Sequence, residues 1–205
     1  MARNKEQTKE KIIAAAGHLL ATEGFRNFGV NALARQAGVD KVLIYRYFGG
    51  LPGLLRAFGE SADFWPTLAE VTGGAPEAFR NKDLGEGVAD LLVNFSRALR
   101  RRPLTQEIMA WEMVEQNELT AILAEMREDW AKRLFQTFHE QISDTDLDLP
   151  AVTALFGAAI NYLAIRGRNT AAFNLVEIGQ ESGWHRLETT LRTLCLRSFP
   201  AEKPS

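Results

Sequence analysis

Apolar residues recur at helical spacing along most of the chain. Near the amino terminus, Ile12, Ala16 and Leu20 share one face of a helix that we predict over about residues 7–22. Convincing two-residue alternation of the strand type is not found. The pattern therefore predicts an all-α protein with about nine helices.

Glycines and a proline mark the ends of the amino-terminal helices. Gly24 stands where a helix needs a left-handed C-cap, and Gly38 stops the second helix. The pair Gly49-Gly50 ends a third helix, and Pro52 suits the first turn of a fourth because its missing N–H is not needed there. The four predicted helices cover about residues 7–22, 30–37, 41–48 and 52–63.

The rest of the chain is predicted to form five further helices after a loop over about residues 66–82. Pro150 opens the fourth of these five, and Gly167 closes it. We place an amino-terminal domain over residues 1–50 and a helical domain over residues 51–205. The five helices are expected at about residues 84–101, 104–115, 118–142, 150–167 and 180–198.

The segment from Val30 to Phe48 has the layout of a helix-turn-helix: a short helix, a glycine turn and a second short helix. In the second helix Ile44 and Phe48 are four residues apart and share the inward face. Basic side chains and tyrosine hydroxyls on the outward face are common contacts to DNA. The alternative is that Tyr45 and Tyr47 only pack within the subdomain. The predicted DNA-binding residues are Lys41, Val42, Leu43, Tyr45, Arg46 and Tyr47.

Charge is distributed unevenly between the two predicted domains. Residues 1–57 carry nine basic and four acidic side chains, and the remainder carries 15 basic and 22 acidic ones. The net charge of -2 conceals this split. A basic head on an acidic body indicates that only the head meets a polyanion.

Several runs of residues together resemble the signature of the tetracycline-repressor (TetR) family. They are Gly38 to Phe48, the preceding Ala34 to Ala37, and Glu23-Gly24-Phe25 at the end of the first helix. The resemblance covers about residues 10–57. It implies a DNA-binding helix-turn-helix, a ligand cavity enclosed by the helices of the body, and a dimer interface made by the last two long helices.

Three positions depart from the family pattern. Phe28 and Gly29 stand where the family usually has Thr and Ser, so we expect Asn27 to cap the second helix instead. Leu43 replaces a Thr that the family uses on DNA, and Leu51 replaces a Lys that touches phosphate. Two polar DNA contacts of the family are therefore missing here.

Large, soft and aromatic residues of the body are candidates to line an effector pocket, although ordinary core packing accounts for each of them as well. The polar candidates for orienting a ligand are Glu112, His139, Asn161 and Tyr162. The predicted effector-pocket residues are Phe95, Met109, Trp111, Met113, Met126, Trp130, Phe135, Phe138 and Tyr162.

The helix over about residues 150–166 is apolar on more than one face, which one monomer core does not readily cover. The last helix adds a leucine stripe, so we predict a four-helix arrangement across a two-fold axis in a homodimer. The predicted dimer-interface residues are Phe156, Ile160, Leu163, Leu187, Leu191 and Leu194.

The chain offers no catalytic or metal-binding pattern. Its three histidines lack metal-ligand spacing, and no phosphate-binding glycine loop or nucleophile elbow is found. We therefore expect neither an enzyme nor a cofactor or metal. The apolar stretch from Ala151 to Ile165 is shorter than the roughly 20 residues of a membrane span. That stretch, a single cysteine and a charged amino terminus favour a cytoplasmic protein outside the membrane.

These observations predict a ligand-responsive repressor that binds double-stranded operator DNA as a homodimer and is released by a small apolar or aromatic effector. The alternative is a helix-turn-helix protein controlled by a protein partner, which would keep the head but need no cavity. A helical enzyme would need a polar catalytic cluster, which the sequence does not contain.

Overall fold

The computed structural model describes residues 2–61, 63–74, 82–137 and 147–199. Within these ranges the secondary structure is helical apart from one isolated β-bridge between Phe173 and Val176. The predicted all-α class is confirmed. The helices are α1 (Ala2–Glu23), α2 (Val30–Ala37), α3 (Lys41–Phe48), α4 (Leu51–Gly59), α5 (Leu68–Thr72), α6 (Leu84–Arg100), α7 (Pro103–Glu112), α8 (Glu118–Thr137), α9 (Leu149–Arg166) and α10 (Glu181–Ser198).

Helix α5 lies inside the segment that the sequence predicted as a loop. Thr67 forms a capping box at its start: the Thr67 hydroxyl accepts from the Glu70 N–H at 3.2 Å, and the Glu70 carboxylate accepts from the Thr67 N–H at 2.8 Å. Two backbone donors are satisfied in this way, which stabilises even a five-residue helix. The prediction of a loop was wrong here, and the Thr-x-x-Glu pattern was the signal that could have found the helix.

The chain divides into two compact units, each built from two segments. The first unit comprises residues 1–65 and 102–130, and it holds α1 to α4, α7 and the first part of α8. Helix α1 packs against α2, α4 and α7. Its apolar face, which includes Ile12, Ala16 and Leu20, is buried, as the spacing predicted.

The second unit comprises residues 66–101 and 131–205. Here α6 packs against α5, α9 and α10. Arg192 of α10 forms ion pairs with Glu86 and Asp90 of α6. Burial raises the pKa of Asp90, but hydrogen bonds from Lys82 and Arg192 outweigh burial and hold that pKa below its usual value.

Helix α9 is largely uncovered in the single chain. Its 18 residues are long and apolar enough to cross a membrane, and only 17% of the helix is buried within the single chain. This exposure agrees with the sequence prediction that one monomer core does not readily cover the helix. Its exposed apolar side chains include Leu155. A helix this apolar needs a further covering surface to be stable in water.

Candidate nucleic-acid interface

The helix-turn-helix is fixed by its caps. Gly38 adopts a φ of 60° at the end of α2 and donates to the carbonyl oxygens of Ala34 and Arg35. Two residues later the Asp40 side chain accepts from the Val42 N–H at 2.8 Å and so caps α3. A left-handed glycine followed by an acidic N-cap sets the tight turn between the two helices.

Helix α3 buries one face and exposes the other. Ile44 is fully buried together with Leu33 of α2, which holds the two helices together. Phe48, predicted on the same inward face, is half-buried. The six predicted DNA-binding residues lie along α3: Lys41, Val42, Tyr45 and Arg46 are exposed, and Leu43 and Tyr47 are half-buried.

Asn27 does not cap α2. The N-cap is Gly29, whose extended backbone carries no side-chain acceptor, and the Asn27 amide instead donates to the Glu23 carbonyl at 3.2 Å. Asn27 therefore satisfies the end of α1, where free carbonyl groups also need partners. The predicted shift of the cap to Asn27 was wrong.

Helix α1 adds basic side chains to the interface that the sequence prediction missed. It starts at Ala2, about five residues earlier than predicted. The Lys5 ammonium therefore lies over the Tyr47 ring, 5.8 Å from its centroid. The first turn has no N-cap pattern, so only the basic composition of residues 1–11 could have indicated this contact.

Helix α7 is fastened to the end of α1. The Trp111 indole N–H donates to the Ala21 carbonyl at 3.1 Å, and Glu115 accepts from the Arg26 N–H at 2.8 Å. A Cβ at Gly24, where φ is 72°, would lie 3.0 Å from atoms of both Trp111 and Glu115. This close contact explains why the turn after α1 uses glycine.

Helix α4 meets α8 in the same unit. A Cβ at Gly59 would lie 2.3 Å from the Met126 sulfur, so a larger residue there would require the flexible Met126 side chain to move. After α4, Trp65 packs edge-to-face on Trp130, with ring centroids 6.2 Å apart. Arg127 of α8 lies over the Trp65 ring at 5.5 Å.

The guanidinium of Arg127 also binds the Glu112 carboxylate of α7 at 2.8 Å. Burial raises the pKa of Glu112, and the attraction of Arg127 opposes that rise only in part. Glu112 and Arg127 therefore link α7 to α8, and the same Arg127 guanidinium lies over the Trp65 ring.

The structure distributes the predicted effector residues over both units. Met109 and Phe95 are buried, and Trp111, Met126, Trp130 and Phe135 are partly buried. Met113 is 64% exposed at the end of α7, which does not suit a residue that encloses a ligand, and Tyr162 is exposed and packs on Phe173. Phe138 and His139 lie outside the described residues. The effector pocket stays a prediction.

All six predicted dimer-interface residues line one apolar groove in the second unit. The groove lies between α9 and α10 over a floor that includes Ser96 of α6, and it encloses about 180 Å³. The Ser96 hydroxyl is buried there and has no hydrogen-bond partner among the residues that the structure describes. The groove lining includes Phe156, Ile160, Leu163, Leu187, Leu191 and Leu194.

Residues 12–58 match the model of a family described as bacterial regulatory proteins, tetR family. The match spans α1 from Ile12 through α4, and it therefore contains the helix-turn-helix and its caps. Comparison with curated protein sequences finds no match.

Solved structures share the fold over nearly the full length. NalD of Pseudomonas aeruginosa, the secondary repressor of a multidrug efflux pump, superposes with a TM-score of 0.70 at 15% identity, covering 98% of this chain and 100% of that one. FadR of Bacillus subtilis in complex with stearoyl-CoA gives 0.64 at 19%, covering 92% and 98%. A TetR family transcription regulator of Marinobacter aquaeolei gives 0.59 at 20%, covering 90% and 97%.

Proposed function

We propose, on the premise that the chain is a transcriptional regulator of the TetR family, that it binds operator DNA as a homodimer and represses transcription until a small apolar or aromatic molecule releases it. The exposed face of α3 carries this proposal. It presents Lys41, Tyr45 and Arg46 on a helix whose opposite face is anchored by Ile44. A rigid helix with an exposed basic and aromatic face suits the major groove.

The side chains of α3 divide into two roles. Arg46 and Lys41 are placed on base edges, while Tyr45 and Tyr47 contact phosphates. Leu43, half-buried near the start of α3, replaces a polar contact by an apolar one that fits a thymine methyl group. Lys5 stands over Tyr47 and adds positive charge to the phosphate contact.

Selection of bound sequences from random double-stranded DNA tests this function directly. The purified chain should enrich a palindrome whose half-sites are centred about 10 base pairs, or a multiple of one helical turn, apart, because two recognition helices of a dimer enter successive major grooves. Enrichment of single, unpaired sites would contradict the dimer. Absence of any enriched sequence at moderate salt would contradict operator binding.

The groove between α9 and α10 supplies the dimer interface in this proposal. Its lining is almost entirely apolar, and α9 is mostly uncovered in one chain. A second copy that packs its own α9 and α10 there would bury both grooves around a two-fold axis. We place the protein in the cytoplasm, with the apolar surface of α9 turned to the partner copy instead of to lipid.

Release by an effector is proposed to act through the contacts that α7 and α8 make with α1 and α4. Trp111 holds the end of α1, and Met126 and Trp130 lie against the end of α4 and Trp65. A ligand that repacks these side chains would tilt the helices that carry α3. The two recognition helices must match one turn of DNA, so a shift of a few ångströms would weaken binding.

A thermal-shift screen of apolar and aromatic compounds, with stearoyl-CoA included because a similar fold holds it, tests the release mechanism. Each compound that stabilises the protein is then titrated against the protein–operator complex. A true effector should weaken operator binding by the factor by which operator weakens its own binding. Tight ligands that leave operator affinity unchanged would favour control by a protein partner.

A further inference from the structure

The segment between α9 and α10 forms a tight hairpin with an unusual residue at its tip. Phe173 and Val176 exchange both backbone hydrogen bonds, at 2.8 and 2.9 Å. The two residues between them, Asn174 and Leu175, have φ values of 46° and 65°. Positive φ at both positions is the type I′ pattern, which prefers Asn followed by Gly.

Leucine is a costly choice at this position. Its Cβ crowds the backbone in the left-handed region, where glycine and asparagine are accommodated far better. The side chain gains nothing in return within the chain, because it is 92% exposed. An apolar residue held in water by an unfavourable backbone indicates that something outside the single chain selects it.

The hairpin is built firmly onto the two helices that it connects. The Trp184 indole of α10 donates to the Ile178 carbonyl at 2.8 Å, and Arg186 donates to the Leu175 carbonyl at 3.1 Å. On the other side, Tyr162 of α9 packs edge-to-face on Phe173, with ring centroids 5.6 Å apart. The tip is therefore presented in a fixed position.

The hairpin between α9 and α10 is joined to the apolar groove through Trp184. The Trp184 indole binds the Ile178 carbonyl of the hairpin segment and also lines the groove, whose two walls are α9 and α10. Further exposed apolar side chains lie on the same two helices, among them Leu155 and Leu194. Leu175 lies in the segment between these two helices, and Arg186 of α10 holds its carbonyl.

We propose that Leu175 is an intersubunit contact: in the homodimer its side chain packs on the second copy of this chain, and the left-handed turn exists to present it. This inference rests on the proposed dimer. In a two-fold interface the contact is made twice, so one substitution removes two leucines. Burial of Leu175 against the second copy would also offset the cost of its positive φ, which no contact within the single chain compensates.

The test is Leu175→Asn, which suits the left-handed backbone and removes the apolar side chain. Sedimentation equilibrium should show a dimer dissociation constant raised by about tenfold or more, because two leucines lose their burial. Asn174→Gly relaxes the same turn but keeps the leucine, so its dissociation constant should equal that of the wild type.

A second measurement separates the contact from a general effect on folding. In the background of Leu194→Asp, which is designed to prevent dimerisation, Leu175→Asn should raise the urea midpoint of unfolding because a strained leucine is replaced at no loss of packing. Weaker dimerisation together with a more stable monomer is the expected pair of signs. If Leu175→Asn weakens the dimer and also lowers the urea midpoint of the monomer, the substitution has damaged the fold in general, and this would overturn the proposal.

Two further outcomes would also overturn it, and they differ from each other. A wild-type chain that is monomeric at all concentrations would remove the proposed dimer itself. A wild-type dimer with an unchanged dissociation constant in Leu175→Asn would remove only the role of Leu175. In that case, loss of flotation with phosphatidylcholine vesicles in the same variant would assign the leucine to a lipid surface instead.

Discussion

The outward face of α3 and the groove between α9 and α10 differ in how completely a single chain finishes them. The outward face of α3 presents Lys41 and Arg46 beside Val42 and Tyr45, and the two ends of this helix are capped by Asp40 and Gly49. The groove is apolar, open, and has an unpartnered hydroxyl in its floor. The outward face of α3 is therefore stable when exposed to water, whereas the groove between α9 and α10 is unfavourable in water until it is covered.

This difference predicts different sensitivities for the two surfaces. Operator binding through α3, as proposed, would depend on phosphate neutralisation and should weaken steeply as salt rises. Association through the groove depends on burial of apolar area and should be little affected by salt but lost on dilution. Each substitution below changes one surface and asks whether the other remains intact.

The largest effect is expected from a charge in the groove. Leu194 lines the groove and is 45% exposed in the single chain, so Leu194→Asp costs the monomer little. In the dimer two carboxylates would lose their water, at several kcal/mol each, and the dissociation constant should rise by at least about 100-fold. Sedimentation equilibrium measures this change, and operator affinity should fall with it.

Leu196→Asp is the matched control, because Leu196 is 38% exposed on the same helix and does not line the groove. It should leave the dimer intact. If the dimers of Leu194→Asp and Leu196→Asp dissociate equally, α10 forms the interface through a face other than the groove. The groove would then be the wrong surface to compare with α3.

A smaller effect is expected at the recognition helix. Arg46→Ala should cost about 1–3 kcal/mol of operator binding and relax the base preference at one position, if the guanidinium reads a base edge. Fluorescence anisotropy on the selected operator measures it. Arg197→Ala removes an equal charge from α10 and should change neither the affinity nor the dimer.

If Arg46 only touches phosphate, the loss will be uniform across sequences and the slope of affinity against salt will fall by about one. An unchanged operator affinity in Arg46→Ala would contradict the proposal that the outward face of α3 enters the major groove of the DNA.

A still smaller effect should come from the cap of α3. Asp40→Ala removes the acceptor of the Val42 N–H and should lower the free energy of unfolding by about 1 kcal/mol, whereas Asp40→Ser keeps a cap and should lose less. Urea denaturation of both variants checks this. Similar losses in both would mean that Gly38 alone fixes the turn and that the Asp40 cap contributes little.

Much of the fold could be predicted because its boundaries have local causes. Helices α6, α7, α9 and α10 begin and end within three residues of the predicted positions. At the start of α9 the cause is Pro150, which acts on the backbone directly. The confirmed helix-turn-helix has the same local character. Helix α5 was missed because five residues carry too little periodicity, although its capping box was present.

The sites that depend on packing between distant segments could not be predicted in the same way. Apolar spacing shows that a side chain leaves water, but it does not say what covers it. Met113 and Trp111 were both predicted to line the effector pocket, yet Met113 is exposed and Trp111 donates its indole N–H to the end of α1. Lys5 was missed because its contact with Tyr47 requires an α1 that begins about five residues earlier than the apolar spacing indicates.

The last comparison concerns two buried hydroxyl groups, one in each unit. The Thr105 hydroxyl donates to the Phe64 carbonyl, whereas the Ser96 hydroxyl beneath the groove has no partner. Removal of a satisfied buried group leaves its partner unpaired and costs about 1–3 kcal/mol, so Thr105→Val should destabilise the protein.

Ser96→Ala should instead raise the free energy of unfolding by up to about 1 kcal/mol, because it removes an unmade hydrogen bond and places a better helix former in α6. This holds only while the groove of the dimer is filled by apolar side chains. If the partner copy or an effector brings a polar atom to Ser96, the alanine variant will weaken dimerisation or ligand binding instead of strengthening the fold. Urea denaturation of Ser96→Ala and Thr105→Val at several protein concentrations distinguishes the two cases, since only the second makes the effect of Ser96→Ala depend on dimer formation. A gain that is independent of protein concentration would show that no polar group of a second copy reaches Ser96.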